Sequence, residues 1–568
     1  MDWMKSNKWH SILPIIIAGW CISGVFTTNR AGTVDPQGET STASHVDFTS
    51  SNLPIMIIDT HGQTIQDARK ITADMGIIDN ARGNRNSVTD PWNGYDGKIG
   101  IELRGSTAQQ FPKKPYAIET RDSLGNNFNT SLLGMPREND WVLYNPYTDK
   151  SMLRNVLSYK MSRDIGRYAS RTRLIELVLN GDYRGVYVLM EKIKQDKNRV
   201  DISKMDSTDT GGDALTGGYI IKIDKTTGDN TGGWNSTKRT PYQYHYPKPD
   251  DIIPGQKDYI KNFMNGFEAV MDGPNYADPV NGYAKYIDLD SFVDNFIISE
   301  VNRNIDAYRL SMFLYKDRDS KDGRLHAGPV WDCDLAFGNA NYYDGWLAEG
   351  CNLDVLSQTG DAYKVPFWWV KLRNDAGFLA RARERWLEFR NDALNTDSLA
   401  AFIDATVDTL DEAQARNYRL YPILESQVWP NYYVWPTFEE EVEFLKEWVQ
   451  NRIAWIDEAI EGAVSGISGK TDAVIPNNCR LEQNYPNPFN SSTVIGMELK
   501  SSTTASVGIY DLRGRLVTTL LDGFQQAGRR TLVWNGRNES GRTVPSGVYM
   551  IRLEAGTETH TRKLLFLQ

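Results

Sequence analysis

An α+β architecture in three parts follows from the apolar periodicity of this chain: a β-rich first half, a helical second half, and a small all-β, Ig-like sandwich at the end. Short apolar runs broken by Gly, Asn and Asp clusters make the stretch from Leu53 to Glu119 strand-rich, and a strand hairpin follows between Leu174 and Ile193. Beyond Gly255 the apolar residues recur at three- and four-residue spacing instead. After a small-residue, Pro-containing linker at 462–478, alternating strands return and run to the C-terminus.

With 568 residues the chain exceeds one ordinary core, so two or three domains are expected. Hydrophobic residues at 40% and charged ones at 24% mark it as globular, and 16 Trp and 28 Tyr supply ample core area. A net charge of −10 and a pI near 5.3, with no long basic run, argue against non-specific nucleic-acid binding. Lys5, Lys8 and His10 precede an apolar run from Ile12 to Phe26, the layout of a secretory signal peptide over 1–28 rather than a membrane span. Export follows, with no integral span once the signal is removed and an unstructured linker at 29–52. Four cysteines are too few for a disulfide scaffold. Cys21 leaves with the signal; Cys333 and Cys351 either pair or leave Cys333 free and buried, and no zinc spacing occurs.

In order, Pro54–Asp59 and Ile99–Arg104 read as strands, and Ala117–Thr120 as another entered through Lys113 and Lys114. Adjacent strand residues point to opposite faces, so one of these two lysines is expected to face a cleft. A helix is predicted from Lys150 to Ile165, carrying Arg154 and Asn155. A hairpin follows, Leu174–Leu179 and Gly185–Ile193 about the turn Asn180-Gly181-Asp182. The Gly/Thr/Asp-rich region 207–250 holds one strand, Gly218–Ile223. Helices are predicted at Tyr259–Met271, Leu289–Val301, Pro366–Leu372, Phe378–Phe389, Leu399–Arg419 and Glu439–Ile460. The last carries a core stripe of Val442, Leu445, Trp448, Val449, Ile453 and Ile456. In the tail, 479–568, strands fall at Ala505–Tyr510, Arg530–Trp534 and Gly547–Leu553, with turns at sandwich spacing and no catalytic constellation.

The chemistry concentrates between Asn302 and Gly338. Asp306 sits before one apolar run, Met312–Tyr315; Asp332 and Asp334 follow a second, Leu325–Trp331. If these runs are neighbouring strands, three carboxylates meet at one end and form a divalent-cation site. In an extended segment Asp332 and Asp334 would share a face. Their apolar neighbours Trp331, Leu335 and Phe337 make uncompensated charge costly there. Protein kinases use a catalytic Asp followed by a metal-binding Asp in this order. Neither a kinase Gly-rich loop nor V-A-I-K precedes them here.

Several motifs in order resemble the CotH kinase family: Arg104-Gly-Ser with Pro112-Lys-Lys-Pro-Tyr116, Asp149–Asn155, Asn180–Tyr187 with Glu191–Ile193, and the Asn302–Gly338 block. The resemblance covers 53–461. It implies an atypical protein-kinase-like, two-lobed domain with a β-rich N-lobe and a helical C-lobe. It also implies use of ATP and Mg²⁺ or Mn²⁺ to phosphorylate Ser/Thr of extracytoplasmic proteins. Asp306 would be the catalytic Asp, and Asp332 and Asp334 would hold the metal. Lys113 or Lys114, and more weakly Arg104, would contact phosphates, with Glu191 to Ile193 near the adenine. Where the family's metal-binding Asn is expected, five after Asp306, stands Ser311, a poorer ligand; the alternative is therefore a kinase-like surface binding or adhesion protein with little turnover. The tail, through Leu481–Asn490, Tyr510-Asp-Leu-Arg-Gly514 and Pro545–Leu553, resembles the C-terminal sorting domain of type IX secretion substrates, which implies the type IX machinery as a partner and delivery to the cell surface or beyond.

Overall fold

A computed structural model describes residues 46–67, 69–80, 84–225, 232–465, 479–482, 484, 486–487, 489–511, 515–556 and 558–567. The signal-like run and Cys21 lie outside these residues. The chain divides into two compact units, Met1–Ile460 and Glu461–Gln568.

The first unit begins with a closed barrel of seven strands, in the order Ile55–Asp59, Ile71–Ile78, Tyr95–Leu103, Tyr116–Arg121, Asp140–Tyr144, Asp182–Glu191 and Thr172–Leu179. All pairs are antiparallel except Ile55–Asp59 with Thr172–Leu179, which closes the ring in parallel. The interior follows the two-residue period of a strand: Met56 and Ile58, Met75 and Ile77, Ile99 and Ile101, Trp141 and Leu143, Ile175 and Leu177 all pack inward. Closure removes exposed edges. The hairpin turn forms as the sequence predicts, with Asn180 at φ 54° and Gly181 at φ 82°, the left-handed pair that a two-residue turn needs.

Two expectations change. The stretch 29–52 is ordered at its end, where Ser50–Ser51 pairs with Asn86–Ser87 and Phe48 stacks on Tyr183 at 4.5 Å. The second half is not simply helical. A five-stranded antiparallel sheet runs Gly233–Asn235, Pro241–Tyr246, Tyr219–Ile223, Met312–Lys316, Leu325–Ala327, so the polar region 207–250 holds three strands rather than one. Its aromatic residues supply the apolar face: Tyr242 and Tyr244 are buried, with Trp234 packed on both.

The helices of this unit include Arg154–Asp164, Pro254–Asp272, Leu289–Asn302, Phe367–Arg373, Ala376–Arg390, Thr396–Leu420 and Phe438–Ser465. Leu289–Asn302 packs on the sheet strand Leu325–Ala327, and Thr396–Leu420 on the barrel strand Asp182–Glu191. The helix Arg154–Asp164 is buried along most of its length, its first turn included, where Arg154 and Asn155 bond to protein groups instead of water, while Lys160 and Asp164 pair at its outer end. On Phe438–Ser465 the stripe from Val442 to Ile456 is core, as its spacing predicts. Among the described residues no helix is long and apolar enough to cross a membrane.

The second unit has two antiparallel sheets. One holds Cys479–Leu481, Thr493–Leu499 and Gly528–Trp534; the other holds Leu516–Gln525, Thr503–Asp511, Gly547–Ala555 and Glu558–Phe566. Ile495, Met497, Val507, Ile509, Trp534, Ile551 and Leu553 fill the space between them, the inward half of an alternating pattern. The buried indole of Trp534 donates to the carbonyl of Arg537 at 2.9 Å.

Candidate functional site

Met312–Lys316 and Leu325–Ala327 are neighbours, with Leu314 opposite Ala327. Because the pair is antiparallel, the chain enters the first strand and leaves the second at the same end. Asp306, Asp332 and Asp334 therefore line one cleft of about 290 Å³, walled on the other side by Arg104, Ala117 and Val142 of the barrel. The reason Asp332 and Asp334 share it differs from the expected one. The segment is not extended: Asp332 adopts φ 59°.

Side chains from the flanking helices fix this loop. Asn155 Oδ1 accepts from the Cys333 backbone N–H at 2.7 Å, and the Tyr159 hydroxyl accepts from that of Asp332 at 3.1 Å. Asn304 Nδ2 donates to the Asp332 carbonyl at 3.0 Å, and the Phe337 N–H donates to the Asn302 carbonyl at 2.8 Å. Arg154 Nε donates to the Ala336 carbonyl at 3.1 Å, while its Nη1 pairs with Asp149 and Glu441, both at 2.8 Å. Besides Asp332, Arg303, Tyr308, Ser311 and Phe337 also have positive φ. Non-glycine residues hold such conformations only where the surroundings over-determine them, a pattern concentrated at functional sites.

The carboxylates are crowded. Burial pushes Asp334 well above the usual range, and Asp332, Asp149 and Asp306 add to it. Asp332 opens to the cleft, yet the surrounding walls strip it of water and raise it, with Arg104 opposing. Asp306 is pushed up to about 6 by burial, against the pull of Lys225 and Arg309. Its folded state therefore holds a proton that the unfolded chain releases nearer pH 4. Stability should fall as pH rises from about 4 to about 6 and stay reduced above, by about 3 kcal/mol. A cation relieves that repulsion, so added Mn²⁺ should raise the melting temperature more at about pH 7.5 than at about pH 5, read by scanning fluorimetry.

The other sequence candidates divide. Arg104 lies in the cleft, its guanidinium 5.6 Å from the Trp331 ring centroid. Ser311 also lines the cleft, and its N–H faces Asp224 Oδ1 at 3.4 Å. Lys113 does not. It is buried between Tyr187 and Tyr421, donates to the Val186 carbonyl and to Asn417 Oδ1, and burial lowers its pKa well below the lysine range. Lys114 donates to the Gln109 carbonyl at 2.6 Å, also off the cleft lining. Glu191 is fully buried against Arg171 at 2.9 Å, and Ile193 packs with Val200, Ile202 and Phe313. The residue between them, Lys192, is the one lining the cleft, as alternation along an extended segment requires.

Three further cleft residues escaped the sequence reading: Lys222, Asp224 and Lys225, at the end of the strand Tyr219–Ile223. Lys222 Nζ bonds Asp224 Oδ2 at 3.2 Å. A Lys-Ile-Asp-Lys run closing an apolar strand was the available signal. Cys333 and Cys351 are both free, so the unpaired alternative holds.

The donor set fits a hard divalent cation: carboxylate oxygens and no thiolate or imidazole. Among the described residues, the metal-compatible group whose ligand atoms already lie within 4.8 Å is elsewhere, Asp288, Asp322 and His326. Arg324 bonds both of those aspartates, at 3.2 and 2.6 Å, which makes the group an ion-pair cluster. In the cleft, cation binding needs further oxygens to complete its shell, and the basic wall of Arg104, Lys192, Lys222 and Lys225 suits the phosphates that carry them. At the far end, Trp429 stacks on Tyr342 with ring centroids 6.1 Å apart and gives the cleft an aromatic rim.

Residues 101–456 match the CotH kinase protein family, a span that includes Arg104 and the cleft residues Asp224, Asp306, Asp332 and Asp334, and residues 487–559 match the FlgD Ig-like domain. The tail is 38% identical over 80 residues to the basal-body rod modification protein FlgD of Salmonella typhimurium and to that of Salmonella typhi. That match takes in 13% of this chain and 34% of each FlgD, so the chain spans about a third of the length of these curated relatives. Looser structural similarity is found to latent PorU of Porphyromonas gingivalis (20% identity, 17% of this chain and 10% of that one, TM-score 0.15). A second is to PorZ of the same organism, a surface component of its type-IX secretion system (22% identity, 18% and 13%, TM-score 0.13). Such loose alignments carry no argument about this chain. The family match spans more than half of it and contains the cleft, and on that ground the chain belongs to the CotH kinase protein family.

Proposed function

We propose that this chain is a secreted atypical protein kinase that transfers the ATP γ-phosphate to Ser/Thr of extracytoplasmic proteins with a divalent cation. The barrel and the sheet-and-helix part would act as its two lobes. What supports the reading is the meeting of Asp306, Asp332 and Asp334 with Arg104, Lys192 and Lys222 in one cleft of a CotH family chain. When bound, Mg²⁺ or Mn²⁺ would supply neutralisation of phosphate charge. Asp334 and Asp332 would hold it. Asp306, tuned to about 6, is matched to accepting the proton of an acceptor hydroxyl near neutral pH. Arg309, 3.5 Å from Asp306 Oδ1, orients that carboxylate. Arg104 and Lys192 on the barrel side, with Lys222 and Lys225 at the end of the strand Tyr219–Ile223, would balance phosphate charge.

Export through the N-terminal signal, and type IX sorting through the tail motifs Leu481–Asn490, Tyr510–Gly514 and Pro545–Leu553, belong to the same proposal. A second reading, a binding or adhesion protein with little turnover, is favoured by Ser311 and by the absence of Lys113 from the cleft. Incubation with γ-labelled ATP, Mn²⁺ and candidate proteins separates the two. Label transfer lost in Asp306→Ala supports the kinase. Nucleotide binding without transfer supports the second reading, and labelling that survives Asp306→Ala sinks the assignment.

A further inference from the structure

Tyr144 ends the barrel strand Asp140–Tyr144, locked opposite Val188. Its ring is buried in the core, yet it lines the cleft, and its hydroxyl has no hydrogen-bond partner. Buried hydroxyls are almost always bonded, because the loss of water is otherwise uncompensated. A phenylalanine would pack as well, so the hydroxyl serves nothing that the fold shows. The negative groups acting most strongly on it are Asp334, Asp149 and Asp332. It bonds none of them. The next residue, also in the cleft lining, repeats the pattern: Asn145 Nδ2 donates to the Lys113 carbonyl at 2.5 Å, while its buried Oδ1 has no donor.

We infer that Tyr144 is a nucleotide-binding residue, its hydroxyl donating a hydrogen bond to an oxygen of the phosphate chain beside Asp334. This rests on the phosphotransfer reading. The chemistry suits the place. Three carboxylates repel a phosphate, and cations on the barrel wall attract it without fixing its orientation, whereas a neutral, rigidly held donor does fix it. The phenol is held protonated there, its pKa driven far above the usual value by burial and by Asp334, so it remains a donor at every working pH.

Tyr144→Phe removes one oxygen and keeps the packing. The full chain and this variant are titrated calorimetrically with Mn²⁺ alone and with a non-hydrolysable ATP analogue plus Mn²⁺, and melted without ligand. Expected are an unliganded melting temperature equal to or above that of the natural chain, unchanged Mn²⁺ affinity, and analogue affinity lowered about ten-fold or more. Unchanged analogue affinity overturns the inference while leaving the phosphotransfer reading intact. So does a lower unliganded melting temperature with unchanged analogue affinity, which would make the hydroxyl structural. An equal loss of Mn²⁺ affinity would place it in the metal's shell and overturn the phosphate assignment. Failure of the natural chain to bind the analogue removes the reading itself, and the inference with it.

Discussion

Replacing Arg154 with Ala should destabilise the first unit by about 3–5 kcal/mol, as removal of one partner from a buried ionic group does. Arg154 is 1% exposed and holds two buried carboxylates, Asp149 and Glu441. Glu441 is already raised by burial despite the guanidinium that opposes it. Without Arg154 both acids lose their countercharge, and Glu441, already raised by burial, favours protonation in the folded state still more. The deficit therefore has a sign in pH: it should shrink on acidification, when the acids take up protons, and widen above neutrality. The same substitution frees the Ala336 carbonyl, which anchors the metal-side loop, so cleft affinity for Mn²⁺ should fall with stability. Chemical denaturation of R154A at acid and alkaline pH checks both parts. A pH-independent deficit would mean that the network is uncharged in the natural chain.

Asp334→Asn should do the opposite to stability and far more to activity. Asp334 bears the repulsion of Asp332, Asp149 and Asp306. An isosteric amide relieves it, and the unliganded chain should gain about 1–2 kcal/mol. The cleft then loses its most crowded carboxylate. Stabilisation by Mn²⁺ should vanish and phosphotransfer should drop on the order of 10³-fold. Opposite signs for stability and activity are the mark of a functional carboxylate, since a structural one would lose both. A D334N chain that is less stable yet still binds Mn²⁺ would remove Asp334 from the metal site.

Much of this site could be read from sequence, for a specific reason. Antiparallel strands return the chain to its starting end, so residues flanking a hairpin converge whatever the loop between them does. Asp306, Asp332 and Asp334 are such residues, and two apolar runs sufficed to place them together. Lys113 and Lys114 failed because their surroundings come from afar. Asn417 on the helix Thr396–Leu420 and the ring of Tyr421 claim the Lys113 side chain, and no local pattern reports them. Glu191 and Ile193 failed by one residue, the error that strand alternation punishes most. Lys192 was the residue between them. The barrel was missed although Ile71–Ile78 alternates, with Ala73, Met75 and Ile77 inward and Thr72 and Asp74 between them, because a single strand does not show which neighbours close the ring, here the parallel pairing of Ile55–Asp59 with the distant Thr172–Leu179. The sheet at 219–246 was hidden by its polar, glycine-rich connections, although Tyr242 and Tyr244 already marked a buried strand face.

The decisive measurement is a structure of the full chain with Mn²⁺ and a non-hydrolysable ATP analogue. A cation should be bound by Asp334 with Asp332 or Asp306, about 2.0–2.4 Å from oxygen ligands that include the phosphate chain. The phosphates should face Arg104 and Lys222, with the Tyr144 hydroxyl within hydrogen-bonding reach of one of them. A cation seated instead among Asp288, Asp322 and His326, or nucleotide bound outside the cleft, would remove the three aspartates Asp306, Asp332 and Asp334 from the metal and nucleotide site.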